Sequence, residues 1–278
     1  MDNLWEKINY IKKDKKLYLD TNIYEYDLSK ANINALYCSD MISLNEYNAL
    51  LTMDKYDREI YIGRRIQSEN KLYKKSDTYL TISSNIKEAK RRLFESNNID
   101  SNKVIRIAND AIYVEEQMEY RNTSFDLNNN GRYMTFHINR YNSLLALHNY
   151  TILIFFGILD DGNYNVEVKG VNDKSLEYNS VFLEFICDIL MYLQKTDPKI
   201  TLMKFQEFHN KYINRQLPIE YYMEFVNTQA YRIDQGVNHV FTWGLTNKSK
   251  YLNIDNIDIE FNYNIIRELY SIIIELNR

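Results

Sequence analysis

Two aspartates stand where a carboxylate can do chemistry. Asp27 ends the run Ile23 to Asp27, which reads as a strand, and precedes a segment whose Ala31, Ala35 and Leu36 fall on one helical face. Asp110 follows Asn109 between two apolar runs, Lys103 to Ala108 and Ala111 to Glu115, which places it at the tip of a hairpin. A strand end fixes a side chain on a rigid element and leaves it open to solvent. If the two strands are neighbours, both carboxylates converge at one sheet edge. There they could hold two Mg²⁺ ions about 3.5–4 Å apart, one activating an attacking oxygen and one stabilising the leaving oxygen of a phosphoryl transfer. Two protein carboxylates suffice, because water and substrate phosphates complete each octahedron. The plainer reading of Asp110 is a turn residue with no further duty.

Between the two aspartates lie the basic segments. Residues 55 to 75 read as a helix carrying Arg58, Arg64, Arg65, Lys71, Lys74 and Lys75, and residues 84 to 96 as a second with Lys87, Lys90, Arg91 and Arg92. Such rows are by default solvated helix faces. Beside a pair of metal-binding carboxylates they would clamp a triphosphate or a nucleic-acid backbone. The 25 tyrosines could stack bases, but a bias toward Asn, Ile, Lys and Tyr is what an A/T-rich genome writes, so their number carries no weight.

Composition removes several alternatives. Seven glycines and two prolines in 278 residues, against about 12% in an average chain, exclude Gly-rich linkers and repeats. No G-x-G-x-x-G, G-x-x-x-x-G-K or G-x-S-x-G occurs, so any nucleotide must be held without the usual glycine cradles. Cys38 and Cys187 are too few for a disulfide framework and suit a reducing cytosol. His137, His148, His209 and His239 form no zinc pattern. The N-terminus lacks a basic and apolar leader, and the longest apolar stretch, near Ile152 to Ile158, is too short to cross a bilayer. With 45% hydrophobic and 26% charged residues the chain should fold, and a net charge of -4 leaves its 34 Lys and Arg free to form only a local patch.

Further strands are predicted at 17–20, 118–125, 132–140, 151–158 and 163–171, with turns at 128–131 and 160–163. Asp27 or Ser29 would cap the first helix, and residues 43 to 51 read as a second. Asp126 to Gly131 begins like a calcium loop, but its twelfth position is His137, so it reads as a turn. Beyond Asn172 the pattern becomes helical, at 180–195, 201–214 and 260–276. Strand runs separated by paired helices point to an antiparallel sheet covered on one face.

The residues around the two aspartates resemble a known family. Tyr26-Asp27-Leu28-Ser29-Lys30-Ala31 looks like motif A of template-dependent DNA polymerases of families A and B, and Ile105 to Glu115 looks like their motif C hairpin. Val166 to Val171 is similar to a strand found downstream of motif C in family B. The resemblance implies a palm domain in which Asp27, Asp110 and the carbonyl of Leu28 bind Mg²⁺ or Mn²⁺. Arg64, Arg65, Lys71 and Lys74 are loosely similar to the triphosphate-binding side chains of motif B. The chain departs from the family in two places. Asn109 and Ala111 stand where many motif C hairpins carry a further acid, and no Tyr-Gly ending of motif B is present. Separately, Leu17 to Ile23, with Asp20-Thr21-Asn22, resembles the opening strand of PIN-domain nucleases, which implies Asp20 as a metal ligand with Glu46 or Glu59 and Asp110.

The expectation is an α+β protein. A palm-like antiparallel sheet covered by helices spans residues 1–172, with minimal fingers-like helices at 43–96, and a mainly helical, thumb-like region spans 173–278. The leading functional expectation is a compact Mg²⁺-dependent nucleotidyltransferase of viral or mobile-element origin, acting on nucleic acid and nucleoside triphosphates in the cytoplasm and not on a membrane. The alternatives are a palm-like protein without catalysis that binds nucleic acid or a replication or transcription partner, and a PIN-like nuclease using Asp20.

Overall fold

The computed structural model describes residues 3–70, 74–158, 164–170, 180–195, 197–218, 231–233, 240–242 and 260–276. Lys71, the expected turn at 160–163 and the expected boundary near Asn172 lie outside them. The fold is α+β, with antiparallel sheets and helices in two compact units.

The first unit comprises residues 1–12 and 22–140. Its strands are β1 (Asn9–Ile11), β3 (Ile23–Leu28), β4 (Val104–Ala108), β5 (Ala111–Glu115), β6 (Ser124–Asp126) and β7 (Tyr133–Tyr141, whose last residue falls in the second unit), in the order β1-β4-β5-β3-β7-β6. Between β3 and β4 run helices α1 (Ala31–Cys38), α2 (Leu44–Thr52), α3 (Lys55–Glu69) and α4 (Asp77–Asn97). β5 lies antiparallel between β3 and β4, so β3, the helices and β4 form a split β-α-β unit.

The pleat sets the core. Alternate residues of a strand face opposite sides, and Tyr24, Tyr26 and Leu28 pack with Ile112, Val114, Met134 and Phe136 against Ile86, Ala89 and Leu93 of α4. The helix starts follow from capping. Ser43 accepts from the Glu46 N–H and Asp54 from the Asp57 N–H. α4 begins earlier than its apolar period suggests, because Ser76 caps it and Glu69, at the end of α3, accepts from the Ser76 hydroxyl at 2.6 Å and the Thr78 N–H at 2.9 Å. Neither Asp27 nor Ser29 caps α1, whose N-cap is Lys30 in the left-handed region.

The second unit comprises residues 13–21 and 141–278. Its sheet has the order β10-β9-β8-β2, with β2 (Leu17–Tyr18), β8 (Ser143–Leu147), β9 (Ile152–Ile158) and β10 (Tyr164–Lys169). Leu145, Leu147, Ile152, Ile154 and Phe156 pack against helices α5 (Ser180–Lys195), α6 (Pro198–Ile213) and α7 (Glu260–Glu275). A short pair, β11 (Tyr231–Ile233) and β12 (Val240–Thr242), completes the described strands. Strands β9 and β10, expected to share the first sheet, therefore group with the C-terminal helices, because those helices bury their apolar face, and β8, which the sequence reading did not predict, joins them. Gly170 is required there: at φ +87 an added Cβ would come within 1.8 Å of the Thr151 carbonyl oxygen. Among the described residues no helix is long and apolar enough to cross a membrane.

Candidate functional site

The end of the first sheet carries Asp27 and Asp110. β3 and β5 are neighbours, with Asp27 in register with Ala111, and the Leu28 N–H donates to the Asp110 carbonyl at 3.3 Å. The hairpin turns through two residues: Ala108 pairs with Ala111, and Asn109 takes φ 50, a conformation that asparagine tolerates better than most residues. The sequence-predicted pair is thus brought to one end of the sheet.

Their faces differ. Tyr26 and Leu28 point into the helix-covered core, so Asp27 between them lies on the opposite face. That face also carries Glu25, 2% exposed, which accepts hydrogen bonds from the Tyr113 hydroxyl and from Asn139 Nδ2 at 2.9 Å. Asp110 has its charged neighbours on the helical side: Lys55 and Glu59 of α3 and Lys90 of α4. Burial holds its carboxyl above the ordinary range despite the two lysines.

Lys90 is the side chain that the turn is built around. Only 3% exposed, its Nζ donates to the Asn109 carbonyl at 2.9 Å and the Lys7 carbonyl at 2.8 Å. Burial pulls its pKa down to about 8, while the nearby Asp110 opposes that fall. The ammonium thus sits on the backbone of the hairpin tip, within electrostatic reach of the Asp110 carboxylate. Among the described residues no group of three or more His, Cys, Asp or Glu is arranged to hold a metal. The donor set at this sheet end is two carboxylates, with a buried ammonium among the charged neighbours of Asp110.

Two of the four residues of the expected triphosphate clamp are engaged within the protein. Arg65 bonds Glu46 and Glu69, each at 3.3 Å, and the Met41 carbonyl at 3.0 Å. Lys74 pairs with Asp77 at 3.1 Å. Arg64 is exposed on α3. On α4, Arg91 and Arg92 both bond Glu88, and Lys87 lies 3.6 Å from Glu6. The residues of the nuclease reading are divided: Asp20 is exposed at φ 47 in the second unit, while Glu46, Glu59 and Asp110 belong to the first. Glu46 accepts from the Tyr61 hydroxyl at 2.8 Å and Glu59 from Asn32 Nδ2 at 2.7 Å. Asp126 folds its own loop, accepting from the N–H groups of Asn130 at 3.1 Å and Gly131 at 2.7 Å, as a turn residue does.

Sequence reasoning counted Lys90 only as one of a basic row. The signal was its spacing: Ile82, Ile86, Lys90 and Phe94 repeat every four residues, which puts an ammonium inside an apolar stripe. Glu25 gave a weaker one, an acid flanked by Tyr24 and Tyr26 in a strand.

No curated protein matches the chain. A family model does match it, over residues 1–274. The chain belongs to that family, a phage family described as Bacteriophage PBS1 gene 130 protein.

Proposed function

We propose that the chain is a phage nucleic-acid-binding protein built on a palm-like split β-α-β sheet, in which Lys90 takes the counter-ion position at the motif C-like hairpin and no metal-dependent catalysis occurs. The observation that carries this reading is the Lys90 ammonium, almost fully buried on the Asn109 carbonyl beside Asp110. A divalent ion bound by Asp110 would be repelled by a positive charge already buried at the same turn. The strand order supports the palm-like part, since β3 lies directly beside the β4–β5 hairpin, as the resemblance implies. Arg64, exposed on α3, supplies a cation for backbone phosphates.

A single pair of measurements tests it. Labelled primer–template DNA titrated with the full chain is expected to bind with an affinity that falls as salt rises, and Arg64→Ala is expected to weaken binding about threefold and flatten the salt slope. The same DNA with nucleoside triphosphates and Mg²⁺ or Mn²⁺ is expected to show no extension. Absence of binding at low salt overturns the nucleic-acid reading. Extension that is lost in both Asp27→Ala and Asp110→Ala replaces it with the polymerase reading, which the shared sheet end of those residues favours.

A further inference from the structure

Helices α3 and α4 enclose a cleft of about 460 Å³ in the first unit, well within the range of small-molecule sites. Its walls are Ile62 and Ile66 of α3 and Ile82 and Ile86 of α4, with Tyr79 at the start of α4 and Lys90 at the other end. From Tyr79 to Lys90 the cleft runs about 16 Å along the helix at 1.5 Å per residue.

One residue of this cleft has no internal explanation. Gly63 sits in the middle of α3, where glycine weakens a helix relative to alanine. An added Cβ at Gly63 would meet nothing within 4 Å, so neither packing nor a turn requires glycine there. What glycine does provide is bare backbone facing the cleft, which lets an outside molecule lie against the helix.

The polar end decides the class of molecule. Lys87 lies 3.6 Å from Glu6, Asn32 Nδ2 donates to Glu59 at 2.7 Å, and Lys90 stands between two carbonyls and Asp110. Each charge there already has its opposite or a hydrogen bond. A charged ligand would bring a desolvated charge into an end whose own charges already balance, Lys87 and Lys90 against Glu6 and Glu59. An uncharged ligand needs only a hydroxyl or carbonyl to meet the amides of Asn32 and Asn109, which also line the cleft.

We propose that the α3–α4 cleft binds a small, uncharged and largely apolar molecule bearing one hydroxyl or carbonyl, laid against the backbone of Gly63. The cleft shares Lys90 and Asn109 with the hairpin, but its occupancy by a ligand stands or falls without the nucleic-acid reading. The test is calorimetric titration of the full chain with three probes of equal chain length: 1-octanol, octanoate and octylammonium. Octanol is expected to bind saturably and at least tenfold more tightly than either ion. Gly63→Ala is expected to raise Tm by a few degrees and weaken octanol binding about fivefold, and Gly63→Leu to abolish it. No saturable octanol binding overturns the proposal, as does binding unchanged in Gly63→Leu. Equal or tighter binding of an ion overturns the uncharged class. A lower Tm for Gly63→Ala would mean that the glycine serves the fold, and would remove the reason for placing the ligand there.

Discussion

At the scale of single residues, Lys90 sets a pH dependence of opposite sign to that of most buried groups. Its folded pKa, about 8, lies below the ordinary lysine value near 10.4, so between those values the unfolded chain holds more protons and stability rises with pH. From about pH 9 an opposing trend sets in, because burial holds the Cys38 thiol at about 11 and the Cys187 thiol and Tyr26 hydroxyl at about 12, so the folded state keeps protons that the unfolded state loses. The Lys90 contribution is therefore read as a difference: the Tm gap between the wild type and Lys90→Met is expected to widen from pH 8 to about 10. At pH 7 Lys90→Met is expected to cost about 2–4 kcal/mol, since the Asn109 and Lys7 carbonyls lose their common partner. A gap that stays constant or narrows between pH 8 and 10 would contradict a buried, neutralisable amine. The sequence showed Asp27 and Asp110 plainly, because a strand end and an Asn-Asp turn are local features. It did not show which face each carboxylate takes, because a turn residue sits outside the two-residue alternation that fixes the strand.

Among elements, the junction of α3 and α4 is held by one carboxylate. The Ser76 hydroxyl and then the Thr78 N–H pull the Glu69 pKa down to about 2, while Arg65 ties the same side chain to α3 at 3.3 Å. With the folded value below the unfolded one, this contribution is present above about pH 4 and is lost as pH falls toward 2. Glu69→Gln is expected to lower Tm at pH 7 by a few degrees and to have a smaller effect at pH 2.5. An equal loss at both pH values would show that the negative charge is not what caps α4. This link also explains why α4 begins earlier than its apolar period suggests. Residues 77 to 83 are placed by Ser76 and Glu69, and a carboxylate contributed by a preceding helix leaves little mark on the hydrophobic pattern. The strands were legible where alternation was clean, as in Ile23 to Leu28. Of the 118–125 segment, expected as a strand, only Ser124 and Phe125 belong to one, β6.

On the scale of the whole molecule, the α+β class and the helices Ser180–Lys195, Pro198–Ile213 and Glu260–Glu275 followed from the helical period read beyond Asn172. The grouping of β8 to β10 with the C-terminal helices did not, because it depends on which apolar faces meet rather than on where the pattern changes. Each unit has its own buried cluster, and the polymerase resemblance concerns the first. The measurement that bears most directly on Lys90 as the resident cation is anomalous diffraction from crystals of the full chain grown with primer–template DNA and soaked in MnCl₂. The expected map has the Lys90 Nζ on the Asn109 carbonyl and no manganese within ligand distance of either Asp27 or Asp110. A manganese peak shared by those two carboxylates, with Lys90 displaced, would contradict it.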